Sequence, residues 1–190
     1  MVSRVQKQKP IRTCTKTYKN YSSFKRYIVE DFNNRCGYCD DLDKFNGGRN
    51  NYQIDHLKPK KRFSELETDY TNLVYSCPFC NRAKWDKWKD KDGFIDPCDE
   101  EYDNHLERNS RGQIKFKSEQ GKYIHINLNF HLKRHELLWM IEKITQQKEE
   151  LRYFKKKLEK SHPRYVEVIE QYMECDERLI EYTNSFYDEI

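Results

Sequence analysis

The sequence is poor in apolar residues and contains no long hydrophobic run. Of its 190 residues only 36% are hydrophobic, another 36% are charged, and the mean hydropathy is −1.15. The longest strongly apolar run, residues 137–141, is far too short to cross a bilayer, and no signal stretch opens the chain. We therefore expect no membrane association and a location in a reducing cytoplasm. Because a large dry core is excluded, we expect a bound metal to supply part of the stability.

An excess of one charge sign is also lacking, since the net charge of +4 is too small to indicate a nucleic-acid-binding protein by itself. The first 26 residues nevertheless include eight basic side chains and no acidic one, and most acidic residues lie from Asp96 onward. A positive half would attract a polyanion, although ordinary solvated charge would give the same pattern. The candidate nucleic-acid contacts lie in two basic stretches: Lys58, Lys60, Lys61, Arg62, Arg82 and Lys84.

Neither a glycine-rich phosphate loop nor an internal repeat is present, and the cysteines carry more information. Four of the seven form two Cys-x-x-Cys pairs: Cys36 and Cys39, then Cys77 and Cys80. Thiolates bind zinc tetrahedrally, so the two pairs predict one structural Zn²⁺. Four unligated thiols are the alternative, while a redox dithiol is disfavoured because no thioredoxin-like βαβ pattern surrounds either pair. The other cysteines are expected to be free thiols or core residues: Cys14, Cys98 and Cys175.

An Asp-His dipeptide, Asp55-His56, lies between the two cysteine pairs. Hydrolysis of a phosphodiester needs a base that activates water, a cation that offsets the developing charge, and a stabilised leaving oxygen. His56 suits the base because its ordinary pKa lies near neutrality. Asp55 and Asn81 offer the oxygen ligands that Mg²⁺ or Mn²⁺ prefer. An ordinary strand end with local hydrogen bonds is the alternative.

Periodicity predicts a fold of the α+β class. The expected elements are a helix over 22–35, a strand over 52–56, a helix or loop over 64–70, a helix over 80–88, and a β-hairpin formed by Ile114 and Phe116, a turn at Gly121 and residues 123–128. The expected parts of the chain are a basic N-terminal arm over 1–20, which needs a partner to be ordered, a central domain over 21–130, and a helical region over 131–190.

Two amphipathic helices are predicted in that last region, on either side of Pro163, which cannot continue a helix. Apolar residues alternate at spacings of three and four between 165 and 186, as in a coiled coil. An antiparallel helical hairpin follows from this pattern. Its apolar face is wider than one partner helix needs. The face could therefore pack within the hairpin, form a homo-oligomer or bind a partner subunit, and the sequence leaves these three alternatives open.

Together the motifs resemble the HNH endonuclease family. The matching pattern spans roughly residues 33–90 and reads Cys36-x-x-Cys39, Ile54-Asp55-His56-x-x-Pro59, Asn72-Leu73 and Cys77-x-x-Cys80-Asn81-x-x-Lys84. The resemblance implies a small ββα-metal core whose four cysteines hold a structural zinc. It also implies that His56 is the general base, that Asp55 and Asn81 hold one catalytic metal, and that Asn72 bonds loop backbone and orients His56. Many members carry His where this chain has Asn81, and an amide oxygen favours Mg²⁺ over Zn²⁺ or Ni²⁺.

A weaker resemblance extends beyond this core. The segments Gly93-Phe-Ile-Asp96-Pro97, Tyr102-x-x-His105-Leu106 and Asn127-Leu-Asn129 are similar to HNH nucleases of bacterial phage-defence operons, of the PtuB type in Septu and retron systems. Those nucleases work beside an ABC-type ATPase, so the resemblance implies such a partner; His105 is a site residue or, more simply, structural. The leading hypothesis is a metal-dependent DNA endonuclease, and the alternative is a non-catalytic, zinc-stabilised nucleic-acid-binding module.

Overall fold

The computed structural model describes residues 3–188, and the chain divides after Leu132 into two compact units. The N-terminal unit mixes short helices with two small antiparallel hairpins, and the C-terminal unit consists of two long helices. The elements are α1 (Lys25–Asp31), β1 (Gln53–His56), β2 (Leu73–Ser76), α2 (Pro78–Lys84), α3 (Tyr102–His105), β3 (Leu106–Arg108), β4 (Ile114–Phe116), α4 (Glu119–Asn127), α5 (Lys133–Lys157) and α6 (Tyr165–Asp188). Short 3₁₀ segments are Tyr21–Phe24, Asp43–Asn46, Ser64–Leu66 and Tyr70–Asn72.

The first helical segment follows the predicted periodicity. Phe24 and Ile28, one turn apart, are buried on its inner face. The α-helix ends somewhat before residue 35, because Asn33 and Asn34 adopt φ of 55° and 60°. Asparagine tolerates this left-handed region better than most residues, so the two asparagines suit the end of a helix.

The β1–β2 hairpin carries the predicted Asp-His pair. In its antiparallel register His56, the last residue of β1, lies opposite Leu73, the first residue of β2. Cys77 follows β2 directly, and its sulfur accepts a hydrogen bond from the Cys80 amide at 3.4 Å, which caps α2. Pro78 begins the helix at a position where its missing N–H costs nothing. The Asp-His pair and the second cysteine pair therefore belong to consecutive, packed elements.

The helix predicted over 80–88 is shorter in the structure. α2 ends at Lys84 because Trp85 has φ 51° and ψ −126°, a conformation that cannot continue a helix. No glycine or proline marks this end in the sequence, so residue pattern alone did not indicate it.

The prediction that residues 123–128 form the second strand of a hairpin is wrong. β4 pairs instead with the preceding β3, and residues 119–127 form α4, capped by the Ser118 hydroxyl, which accepts from the Gly121 amide at 3.0 Å. Ile124 and Leu128 are buried one turn apart, whereas Ile126, which would share their face in a strand, is exposed. A Cβ on Gly121 would lie 2.0 Å from the His105 carbonyl oxygen, so this glycine permits close packing rather than a turn.

The segment before the first helix is ordered by the chain's own contacts, which corrects the expectation that it needs a partner. The amide of Ser3 donates to the Arg108 carbonyl at 2.9 Å, and the Arg108 amide donates back at 2.8 Å. Val5 is buried in the core of the N-terminal unit. Arg12 forms a two-pronged ion pair with Asp96, at 2.7 and 3.1 Å. The arm thus forms part of the N-terminal unit.

In the C-terminal unit α5 and α6 run antiparallel. Lys148 forms an ion pair with Asp176, and Lys155, further along α5, lies over the ring of Tyr172, earlier on α6. The small buried core between the two helices consists of Met140, Ile144 and Cys175. Four partly buried side chains pack against it: Trp139, Leu151, Leu179 and Tyr182. Among the described residues no helix combines the length and the apolar character that a bilayer crossing requires.

Candidate functional site

The four paired cysteines converge in the N-terminal unit. All four are buried, and their sulfur atoms lie within 4.8 Å of one another. The Cys39 and Cys77 sulfurs, one from each pair, are 3.8 Å apart. Sulfurs about 2.3 Å from a tetrahedral zinc are separated by about 3.8 Å, so both the donor set and its spacing fit Zn²⁺. Burial raises the pKa of the Cys80 thiol well above its usual range, so a thiolate here needs a cation beside it.

His56 is held in one orientation at the end of β1. Its Nε2 lies 2.9 Å from the Glu67 carbonyl oxygen, and the ring of Tyr21 packs edge-on against it at a centroid distance of 4.7 Å. Because a carbonyl only accepts, Nε2 carries the proton and Nδ1 presents its lone pair. Burial lowers the pKa of His56, which keeps the imidazole neutral near pH 7. A neutral, oriented imidazole is suited to accept a proton.

The carboxylate of Asp55 is held by two buried donors. The Tyr38 hydroxyl donates to Asp55 Oδ2 at 2.6 Å, and the ammonium of Lys84 lies 3.2 Å from the same oxygen. Burial raises the pKa of Asp55, and the charge of Lys84 opposes that rise. Since both donors occupy Oδ2, Oδ1 is the oxygen that remains for a cation.

Asn72 ties together the loop that follows β1. Its side-chain oxygen accepts from the Lys58 amide at 2.8 Å, and its side-chain nitrogen donates to the carbonyls of Lys58 and Leu66 at 3.0 and 3.3 Å. The same loop supplies Glu67, whose carbonyl bonds His56. Asn72 therefore contacts the backbone of the loop that bonds His56, and it does not line the cleft that contains His56.

One cleft of about 250 Å³ brings together three of the four predicted catalytic residues, Asp55, His56 and Asn81. Its lining is Tyr21, Ile54, Asp55, His56, Pro59, Lys60, Lys61, Asn81, Trp85 and Asp86. The amide nitrogen of Asn81 donates to the side-chain oxygen of Gln53, so the Asn81 amide oxygen is the atom that a cation in the cleft would meet. The cleft thus combines a neutral imidazole with two oxygen donors on separate elements.

Comparison with known proteins agrees with this geometry. Residues 36–87 match the model of the HNH endonuclease family. This HNH segment includes both cysteine pairs, β1, β2 and α2.

Two curated relatives are Septu PtuB proteins. The one from Bacillus mycoides (strain KBAB4) is 25% identical over 135 residues, covering 55% of this chain and 44% of the relative. The one from Bacillus thuringiensis is 29% identical over 86 residues, covering 43% of this chain and 31% of the relative. The chain therefore spans less than half the length of these relatives. No solved structure matches the chain significantly.

The predicted nucleic-acid contacts separate into groups around the HNH segment. Lys60 and Lys61 line the cleft, and Lys60 also pairs with Glu67 at 3.0 Å. Lys58 lies over the rings of Phe63 and Trp88, 5.7 Å from each centroid. The two arginines lie away from the cleft lining: Arg62 donates to the Trp88 carbonyl at 3.2 Å, and Arg82 is exposed in a separate groove.

Lys84 was predicted to contact nucleic acid, and its position in the structure does not agree with that prediction. Its side chain is fully buried, and its ammonium donates to the His56 carbonyl at 2.7 Å in addition to pairing with Asp55. A buried cation already bonded on two sides cannot reach a phosphate at the surface. Lys84 instead joins α2 to the end of β1.

Two residues of the site were missed by the sequence reasoning. Tyr38 is one of the two x residues of the first Cys-x-x-Cys pair, and only folding brings its hydroxyl to Asp55. Trp85 follows α2 and lines the cleft with an exposed indole. The signal available was an aromatic residue inside the first Cys-x-x-Cys pair for Tyr38, and an aromatic residue directly after the Cys77–Lys84 motif for Trp85. His105, by contrast, has a structural contact, since its Nδ1 lies 2.6 Å from the Ser118 hydroxyl at the start of α4.

Proposed function

We propose that this protein is a metal-dependent endonuclease that hydrolyses phosphodiester bonds of DNA. The observation that carries the proposal is the meeting of Asp55, His56 and Asn81 in one cleft of a segment that matches the HNH family. In this proposal β1, β2 and α2 form the ββα-metal unit, and the four cysteines hold a structural zinc that keeps its parts in place.

His56 is proposed as the general base. The Glu67 carbonyl fixes the proton on Nε2, so Nδ1 takes the proton from a water molecule at the phosphate. Tyr21 and the loop tied by Asn72 restrict rotation of the ring, which keeps Nδ1 aimed in one direction. Lys60 and Lys61, on the rim of the same cleft, are proposed to contact the DNA backbone, with Lys58, Arg62 and Arg82 further out.

Asp55 Oδ1 and the Asn81 amide oxygen would hold one divalent cation. Two hard, neutral-to-anionic oxygens favour Mg²⁺ or Mn²⁺ over softer metals. Such a cation supplies charge compensation for the phosphate and the leaving oxygen. Lys84 and Tyr38 keep the carboxylate in place by bonding its other oxygen.

A role in cytoplasmic anti-phage defence beside an ABC-type ATPase is proposed from the similarity to the two PtuB proteins. The C-terminal unit offers a surface for such a partner. Four large apolar side chains recur every seven residues on α6 and stay exposed: Val166 (61%), Met173 (57%), Ile180 (62%) and Tyr187 (70%). This spacing places them on one face of the helix.

The charge around this α6 stripe favours a different protein over a second copy of the chain. Exposed glutamates run along one side of it: Glu167, Glu170, Glu174, Glu177 and Glu181. An antiparallel pair of two such stripes would set the glutamate sides against each other, and like charges across an interface are costly. We therefore propose a partner helix with a basic flank and assign homo-oligomer formation the lesser role.

The test of the nuclease proposal is nicking of supercoiled plasmid by the full chain with Mg²⁺ or Mn²⁺. His56→Ala is expected to lower the rate by roughly 10²–10⁴-fold while DNA binding persists. His162→Ala, an exposed histidine between α5 and α6, is the matched control and is expected to cut normally. Equal cutting by wild type and His56→Ala would show that His56 is not the general base. Binding of DNA without cutting, with either metal and a candidate partner present, would favour the non-catalytic binding module.

A further inference from the structure

Trp85 is the most exposed apolar side chain of the cleft lining, and the proposed hydrolysis leaves it without a role. It lines the same cleft as His56 and Asn81, yet the residue is 67% exposed. An indole offers a flat apolar face, which gains free energy only when another surface covers it. The exposure therefore indicates a surface for a ligand rather than a packing residue.

The backbone at Trp85 supports this reading. Its φ of 51° with ψ of −126° belongs to a region that glycine adopts freely and that a bulky residue occupies only under constraint. The constraint is visible on both sides, since the Trp85 amide donates to the Asn81 carbonyl at 2.9 Å and the Lys87 amide donates to the Lys84 carbonyl at 3.0 Å. A tight turn thus holds a large aromatic residue where a glycine would suffice for the fold.

The charges beside the indole suit a polyanion. The ammonium of Lys61 lies 5.7 Å from the centroid of the Trp85 ring, and that of Lys60 lies 4.6 Å from the ring of Tyr21 in the same cleft. Asp86 follows Trp85 and would repel a phosphate, so phosphates are directed toward the lysine side. Aromatic faces beside cations form the usual platform on which proteins stack single-stranded bases.

We infer that Trp85 stacks on an unpaired nucleobase, so that the cleft accepts single-stranded or locally unpaired nucleic acid. The inference rests on the proposed function for what the cleft does, and it adds the class of substrate. A base inside a duplex presents only its edges to the grooves, so the indole face has no partner there unless the base leaves the stack.

The test compares binding of three probes by the full chain in Ca²⁺. The probes are a thymidine oligonucleotide of about 12 nucleotides, the same backbone with abasic sites throughout, and a duplex of equal length. Trp85→Gly is expected to weaken binding of the thymidine probe by about five- to 100-fold, with Trp85→Tyr close to wild type. Binding of the abasic probe is expected to be weak and equal in all variants. The thermal midpoint of Trp85→Gly is expected to match or exceed that of wild type, because glycine relieves the strained backbone.

Unchanged binding of the thymidine probe by Trp85→Gly would overturn the inference, as would tighter binding of the duplex than of the single strand. A marked fall in the thermal midpoint of Trp85→Gly would do the same, since it would make the indole a packing residue. These outcomes are distinct from failure of the proposed function. If the chain binds bases through Trp85 but cuts no DNA, the stacking site is supported and the protein is a binding module. If the chain nicks plasmid and Trp85→Gly binds the thymidine probe as wild type does, the nuclease is supported and the stacking site is not.

Discussion

The Tyr38 hydroxyl donates a 2.6 Å hydrogen bond to Asp55 Oδ2, although the two residues belong to different motifs. Tyr38 lies between the two cysteines of the first pair, and Asp55 lies near the end of β1. The bond connects the cysteine cluster to the carboxylate of the cleft. The stability of the cysteine cluster and the orientation of Asp55 are therefore expected to change together.

Tyr38→Phe removes only this hydroxyl. Because the acceptor is a buried carboxylate, we expect the free energy of unfolding of the N-terminal unit to fall by about 1.5–3 kcal/mol. Urea unfolding followed by tryptophan fluorescence measures this loss. Tyr123→Phe is the matched control, because the Tyr123 ring packs against Phe94 in the same unit. This substitution is expected to lower the free energy of unfolding by much less. Equal losses for both variants would contradict a special role for the Tyr38–Asp55 bond.

Lys84→Met leaves the buried Asp55 carboxylate without its cation. Removing one partner of a buried ion pair is expected to cost about 3–5 kcal/mol. Arg82→Met, on the same helix but exposed, is expected to change stability by less than about 0.5 kcal/mol. If instead Lys84→Met unfolds like wild type but weakens DNA binding, Lys84 contacts nucleic acid as its sequence position first indicated.

Zinc binding is predicted to require all four paired cysteines. Native mass spectrometry of the wild-type chain is expected to give about one Zn²⁺ per chain, and Cys80→Ala is expected to lose it and to unfold at a much lower temperature. Cys98→Ala is the control, because Cys98 lies outside the cluster. Full zinc occupancy in Cys80→Ala would show that the cluster is not the metal site.

Asn81→His changes the proposed ligand from an amide oxygen to an imidazole nitrogen. We expect nicking in Mg²⁺ to fall and the ratio of activity in Ni²⁺ to activity in Mg²⁺ to rise, because imidazole favours softer metals. Asn104→His, exposed on α3 away from the cleft, is expected to keep the wild-type ratio. An unchanged ratio in Asn81→His would mean that Asn81 does not bind the catalytic metal.

The α6 stripe is predicted to bind a basic amphipathic helix. A designed helical peptide with an apolar face and a lysine flank is expected to bind the full chain, and Met173→Glu with Ile180→Glu is expected to abolish binding. Sedimentation is expected to give a monomer in the absence of peptide. A dimer that dissociates in the double variant would identify a second copy as the occupant instead.

Local spacing within the sequence determined much of this protein. A Cys-x-x-Cys turn places two sulfurs together wherever it folds, and repeats of three and four residues place apolar side chains on one helix face, so both features were readable before folding. The cysteine cluster and the helices on either side of Pro163 follow from such local rules. The segment that matches the HNH family, residues 36–87, contains both Cys-x-x-Cys pairs.

Only the tertiary structure decided what depends on contacts between distant residues. Lys84 looked like a surface cation, and its burial follows from the packing of α2 against β1. Residues 123–128 alternate well enough for a strand, and a serine cap with the close approach at Gly121 makes them helical. The bond from Tyr38 to Asp55 spans 17 positions, and no local spacing encodes it. Such choices arise from packing free energies summed over the whole unit, which a short window of sequence does not contain.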